Sequence, residues 1–232
     1  MIMQTVRAPV SHPIDIDDLR PTQITVGYRE IETHAERLKK LAKDKLVLKH
    51  VIPVVKGPKD RLYVIDHHHL CRAVLLAGSD QVSVTVVLNL QRLKKDEFWI
   101  FMDNKNLVHP FDADGKRRAC SDIPNKIEDM TDDPFRSLAG ALRRLGGYAK
   151  DTTPFSEFLW AEFLRRRIDE KEVEKDYSAA LEEAFGLAKK READHLPGWC
   201  ARKTSQGVRL ASQPARSQAF RRTGFLYVRC ER

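Results

Sequence analysis

One stretch, residues 62–78 (LYVIDHHHLCRAVLLAG), constrains the fold of this chain more than any other. Leu62 to Ile65 is an apolar run of strand length, three histidines follow, and Ala73 to Ala77 form an apolar helical stretch that Gly78 can end in the left-handed conformation. This is a strand, a turn and a helix with no linker between them. Upstream, Val51 to Lys56 is β-branched and Gly57 to Asp60 (GPKD) is a turn signal, so the two apolar runs read as a hairpin. Pro53 has no N–H to give a ladder, which favours an edge strand or a bulge. Val82 to Leu88 then returns as a strand.

Before the hairpin, Ile14 to Leu19 is strand-like. Pro21 and Gly27 bracket a turn, and a charged helix runs from Tyr28 to about Lys43. Strand, helix, two strands, helix and strand in that order argue a compact α/β (α+β) unit with a mixed sheet. A helix over Glu97–Leu107 completes a domain expected at 12–107. Residues 108–131 look irregular, with a turn at Asp114-Gly115. Two helices follow, each announced by a capping residue before a proline, at Asp133-Pro134 and Thr153-Pro154, and Gly146-Gly147 separates them. Phe155, Phe158, Leu159, Phe163 and Ile168 recur near helical period and should face a core. Residues 170–192 read as one charged helix whose stripe, Val173, Tyr177, Leu181, Phe185 and Ala188, needs a packing partner. A mainly helical extension is therefore expected over 108–199, packed on the α/β domain, with a basic, poorly ordered tail over 200–232.

The chain's net charge of +8 is concentrated in that tail, which holds eight Lys/Arg and one acid. The preceding residues carry 33 basic against 32 acidic side chains, so the folded body is nearly neutral. Nonspecific, salt-sensitive contact with nucleic acid is a reading for the tail alone. No stretch approaches the roughly 18 apolar residues of a membrane span, and no basic-then-apolar leader opens the chain, so no membrane association and a cytoplasmic location are expected. Cys71, Cys120, Cys200 and Cys230 are far apart and contain no CxxC pair, which reads as free thiols.

The run Val64-Ile65-Asp66-His67-His68-His69-Leu70-Cys71-Arg72-Ala73 resembles the strand–turn–helix box of the ParB/sulfiredoxin superfamily. Leu19-Arg20-Pro21-Thr22-Gln23 with Val26-Gly27, Asp133 through Ala139, and Phe155 through Arg166 extend the likeness over about residues 14–199 to a bacterial branch called ParB-like nucleases. The resemblance implies that fold and a phosphate site at the N-terminus of the box helix, since superfamily members include partition proteins that bind CTP, sulfiredoxins that bind ATP and serine kinases that use ADP. Physics agrees: the first N–H groups of a helix lack internal partners and the dipole there is positive.

By that resemblance Arg72 is a candidate bidentate phosphate contact. His67 stands where relatives usually have glycine, and His68 where sulfiredoxins have their catalytic cysteine and partition proteins a glutamate. His69 matches a histidine of the sulfiredoxin and kinase versions, whereas Leu70 replaces a phosphate-binding arginine. The candidate catalytic residues are His68 and His69. The candidate ligand contacts are Thr22, Gln23, Asp66, His67, His69 and Arg72, with Thr22 and Gln23 expected to orient the ligand from the loop after the first strand. Adjacent histidines point in different directions, so phosphate contact, metal binding and a structural hydrogen-bonding role all stay open, and no metal site is assigned.

Glu30 and Glu32 lie near the start of the first helix. A serine-kinase relative uses an acid from this region as a base, but exposure on a charged helix is the plainer expectation. For Ser137, helix capping is preferred over an anion contact, and for Trp160, core packing over a place beside Glu157 in a site. The preferred function is a nucleotide- or phosphate-binding protein, with a small-molecule phosphotransferase using a nucleotide and Mg as its enzymatic form. The alternatives are a DNA-associated partition-like protein or nuclease, and a non-enzymatic binding module. Nothing between the box and the tail resembles a helix-turn-helix, which disfavours sequence-specific DNA binding.

Overall fold

A computed structural model describes residues 12–40 and 51–201 of the chain. The first strand-like region is two strands rather than one. β1 (His12–Asp15) ends where the Asp15 carboxylate accepts the Asp17 N–H at 3.0 Å, which starts a single 3-10 turn, and β2 (Leu19–Arg20) follows. β3 (Thr25–Val26) leads into α1 (Tyr28–Leu38), shorter than the expected run to Lys43. β4 (Val51–Lys56) and β5 (Leu62–Val64) form the antiparallel hairpin, followed by α2 (His68–Leu76) and β6 (Gln81–Asn89). Gly78 ends α2 at φ 82°, as its position implied.

The five-stranded mixed sheet has the order β1-β6-β4-β5-β2, with β4–β6 and β2–β5 parallel. β4 is therefore central and not an edge, despite Pro53. The ladder with β6 shifts register between Val54 and Val55, so only the irregularity expected of a proline strand is present. Alternation along the strands divides the core. Ile52, Val54, Val64, Val82 and Val84 pack with Leu70, Val74, Ile31 and Ala35 from α2 and α1, whereas Val55 and Tyr63 pack with Phe98 and Met102 of α3 (Lys95–Asn104).

Residues 105–130 are largely irregular, and Gly115 takes φ 75° in the expected turn. A two-residue strand that the sequence did not announce, β7 (Thr131–Asp132), then pairs in parallel with β3. Asp132 caps α1 from across the chain, its Oδ1 accepting the Tyr28 N–H at 2.7 Å. α4 (Pro134–Arg144) starts at Asp133, whose Oδ1 accepts the Phe135 and Arg136 N–H groups at 2.9 and 3.1 Å. α5 (Ser156–Arg165) does not start at Thr153-Pro154. The Thr153 hydroxyl donates to Asp151 instead of capping, and the helix begins after Phe155 in the left-handed region.

The expected single helix over 170–192 is two, α6 (Glu170–Lys175) and α7 (Tyr177–Ala188). Asp176 leaves helical geometry and its carboxylate accepts the Ser178 and Ala179 N–H groups, both at 3.1 Å, so a new cap breaks the run. The apolar stripe still finds its partner: Val173 and Ala188 are buried in a cluster with Leu138, Leu142, Phe163 and Leu164, and Tyr177, Leu181 and Phe185 pack partly buried against it. Trp160 is fully buried at the centre, stacked 4.3 Å from Tyr148 and donating Nε1–H to the Pro197 carbonyl at 2.9 Å. Among the described residues no helix is long and apolar enough to cross a membrane. Most of the basic tail lies outside the described residues.

Candidate functional site

The turn between β5 and α2 is built on one unusual backbone residue. His67 has φ 66° and ψ 24°, the left-handed region where glycine is favoured. Its N–H is held by Asp66 Oδ1 at 2.6 Å, and its carbonyl accepts the Leu70 and Cys71 N–H groups, both at 3.0 Å. The first-turn donors of α2 that remain, on His68 and His69, stand at the positive end of the helix.

The three histidines separate in space. His68 turns inward and is 3% exposed. Its Nε2 accepts the Thr22 N–H at 3.1 Å, while Thr22 Oγ1, 3.3 Å from the same nitrogen, donates to the Val64 carbonyl at 2.7 Å. Burial pushes its pKa down to about 3, so it is a neutral pin between the loop after β2 and the box turn. That geometry does not suit the catalytic part suggested for His68. Thr22 is fully buried, and Gln23 is buried with its side-chain N–H donated to the Thr25 carbonyl at 2.7 Å. The Thr22 hydroxyl and the Gln23 side-chain N–H are thus both engaged by backbone carbonyls of the protein itself.

His67 and His69 stay at the mouth of α2, with ring centroids 6.1 Å apart, and His34 of α1 lies 5.4 Å from His69 on the other side. Burial lowers the His69 pKa to about 4, nearby Glu30 opposing and Arg136 reinforcing the shift, so the ring is neutral at pH 7. Arg72 is half-buried with its guanidinium 5.9 Å from the Tyr28 ring, and Asp66 is exposed. Cys71 is buried, which pushes its thiol up to about 12 and leaves it an inert core residue.

The acid beside these imidazoles is the residue that sequence reasoning misplaced. Glu30 is buried, not exposed on a charged helix face. Its Oε2 accepts from Arg136 Nη1 at 3.0 Å and its Oε1 from Arg144 Nη1 at 2.8 Å. Burial raises its pKa, but Arg136, His69, Arg144 and His34 together outweigh that and hold the carboxyl below its ordinary value. Gly140 makes room, since a Cβ there would stand 3.0 Å from Glu30 Oε2. The signal was present in the sequence: Arg136, Gly140 and Arg144 recur every four residues, which puts a cation, a gap and a cation on one helix face. Ser137 neither caps nor meets an anion. Asp133 is the cap, and Ser137 Oγ is buried without a partner among the described residues.

The site thus joins a helix N-terminus, three neighbouring imidazoles, and a carboxylate neutralised by two guanidiniums. Among the described residues, no group of three or more His, Cys, Asp or Glu side chains is arranged to hold a metal ion.

Residues 12–166 match the family described as "Putative ParB-like nuclease". The chain belongs to this ParB-like family. Among solved structures it is similar to protein Atu1540 from Agrobacterium tumefaciens, 53% identical with a TM-score of 0.79 over 84% of this chain and 100% of that one. Two structures of the C-terminally truncated chromosome-partitioning protein ParB from Caulobacter crescentus also match. The one complexed with CTP-gamma-S is 16% identical (TM-score 0.30, 79% of this chain and 94% of that one). The one complexed to the centromeric parS site is 13% identical (TM-score 0.27, 78% and 98%). No curated protein matches the chain. In this ParB-like protein the matched region contains the whole site, from Glu30 on α1 through the box to Arg136 and Arg144 on α4.

Proposed function

We propose that this ParB-like protein binds a phosphate-bearing ligand of the nucleotide class at the mouth of α2, with His67, His69 and Arg72 as its side-chain contacts. The observation that carries this is the row of imidazoles from His34 through His69 to His67 at the positive end of α2, beside a cluster in which two guanidiniums face one carboxylate. Such a mouth offers ring N–H groups, backbone N–H groups and a net positive field, which suits phosphate oxygens. Magnesium would accompany a nucleotide di- or triphosphate as its counter-ion.

The test is calorimetry with ATP, ADP and CTP plus magnesium on the protein and on His69→Ala and Arg72→Ala. A nucleotide that binds should lose at least about tenfold in affinity, near 1.4 kcal/mol, in each variant. Absence of heat with all three nucleotides would refute the proposal.

A second reading is favoured by one feature, the neutral His69 near an ionised Glu30. An imidazole without its proton next to a carboxylate can accept a proton from water or a hydroxyl, as phosphodiester cleavage or phosphoryl transfer requires. Magnesium-dependent plasmid cleavage that disappears in His69→Ala would establish the nuclease form, and nucleotide binding without turnover would leave a binding module.

A further inference from the structure

A concave feature lies on the face of the sheet opposite α2. Tyr63 alternates with Leu62 and Val64 along β5, so its ring sits on the α3 side, edge-on to Trp99 with centroids 5.4 Å apart. A cleft enclosing about 50 Å³ opens there between the end of β2, the first turn of α3 and the 3-10 turn Cys120–Asp122. Its walls carry three cations, Arg20, Arg61 and Lys95, and no carboxylate. None of the three is ion-paired among the described residues. Arg20 is fixed in place: its Nη1 donates to the Asn125 carbonyl at 2.6 Å, and its Nε is buried with no hydrogen-bond partner among the described residues.

Like charges gathered around one hollow repel one another, although Asp96 and Glu97 in the first turn of α3 offset the positive end of that helix. A bound anion relieves the repulsion and offers an acceptor to the cleft's donors. The enclosed space takes several water-sized groups, enough for a phosphate and too little for a whole nucleotide. The remainder of the ligand must lie at the mouth, where half-buried Trp99 presents aromatic surface.

We propose that this cleft is a second ligand site, which takes the phosphate of a small phosphate monoester carrying a planar ring, the mononucleotide class. Arg20, Arg61 and Lys95 hold the phosphate, and Trp99 stacks the ring. The site is separated from the mouth of α2 by the sheet and shares no side chain with it.

The full chain is titrated with AMP, adenosine and inorganic phosphate, followed by calorimetry and tryptophan fluorescence. Arg61→Ala and Lys95→Ala, both at exposed positions, are compared with His69→Ala, and thermal melts check that each variant is folded. AMP should bind at least tenfold more tightly than adenosine or phosphate alone, should quench fluorescence, and should lose at least tenfold in affinity, together with the quenching, in Arg61→Ala and Lys95→Ala. No AMP binding at millimolar concentration overturns the proposal. So does binding lost in His69→Ala and retained in Arg61→Ala, which would place AMP at α2. Phosphate binding as tightly as AMP would overturn the stacked ring.

Discussion

Replacing His68 by glutamine isolates one buried imidazole as a source of acid sensitivity. His68 is 3% exposed, and its Nε2 faces a donor, the Thr22 N–H, so a proton on the ring puts a cation in the core and sets donor against donor. Its pKa is about 3 in the folded protein against an ordinary 6.5. Between those values the unfolded chain binds more protons than the folded one, so the contribution to stability is complete above pH 6.5 and is lost as pH falls toward 3. At pH 5 the loss from this residue is about 2 kcal/mol, one and a half units at roughly 1.36 kcal/mol each. Glutamine does not titrate and keeps an acceptor for Thr22. Urea unfolding at pH 7 and pH 5 should show His68→Gln losing about 2 kcal/mol less between the two conditions than the parent, whatever its stability at pH 7. The same pH dependence in both proteins would refute the reasoning.

Glu30→Gln leaves Arg136, with a side chain 11% exposed, without its counter-charge, and should cost about 3–5 kcal/mol in urea unfolding at pH 7. A loss below about 1 kcal/mol would show the cluster to be solvated. Gly27→Ala places a Cβ 2.6 Å from Ser137 Oγ and 2.8 Å from its backbone nitrogen, so α1 and α4 must move apart. A loss of about 1–3 kcal/mol is expected, and an unchanged melting temperature would argue against that close approach.

The sequence made the β4–β5 hairpin, the box and the Asp133 cap legible because each is local: the pairing run, turn residues or cap lie within a few positions of one another. What it hid depends on distance or competition. Thr153-Pro154 looked like Asp133-Pro134, but Asp151 competes for the threonine hydroxyl. The stripe through residues 173–188 looked continuous because apolar spacing does not register a cap inserted at Asp176. Glu30 belonged by composition to a charged helix, and only its partners 106 and 114 residues away make it a core residue. The same holds for His68, which looked like its two neighbours until the loop carrying Thr22 packed over it. Of the expected ligand contacts, Asp66, His67 and His69 stand at the start of α2 and Arg72 one turn into it, whereas Thr22 and Gln23 are buried with side-chain bonds to backbone carbonyls.

The ties between Glu30 and α4 also bear on how the chain is made. A ribosome adding about 5–20 residues per second delivers Arg136 roughly 5–21 seconds after Glu30. Until then the carboxylate has no buried partner, and β3 and the start of α1 lack the β7 strand and the Asp132 cap that complete them. The nascent α/β layer must therefore wait with its acid still in water, and the site closes only when the arginines of α4 arrive to draw that acid inside.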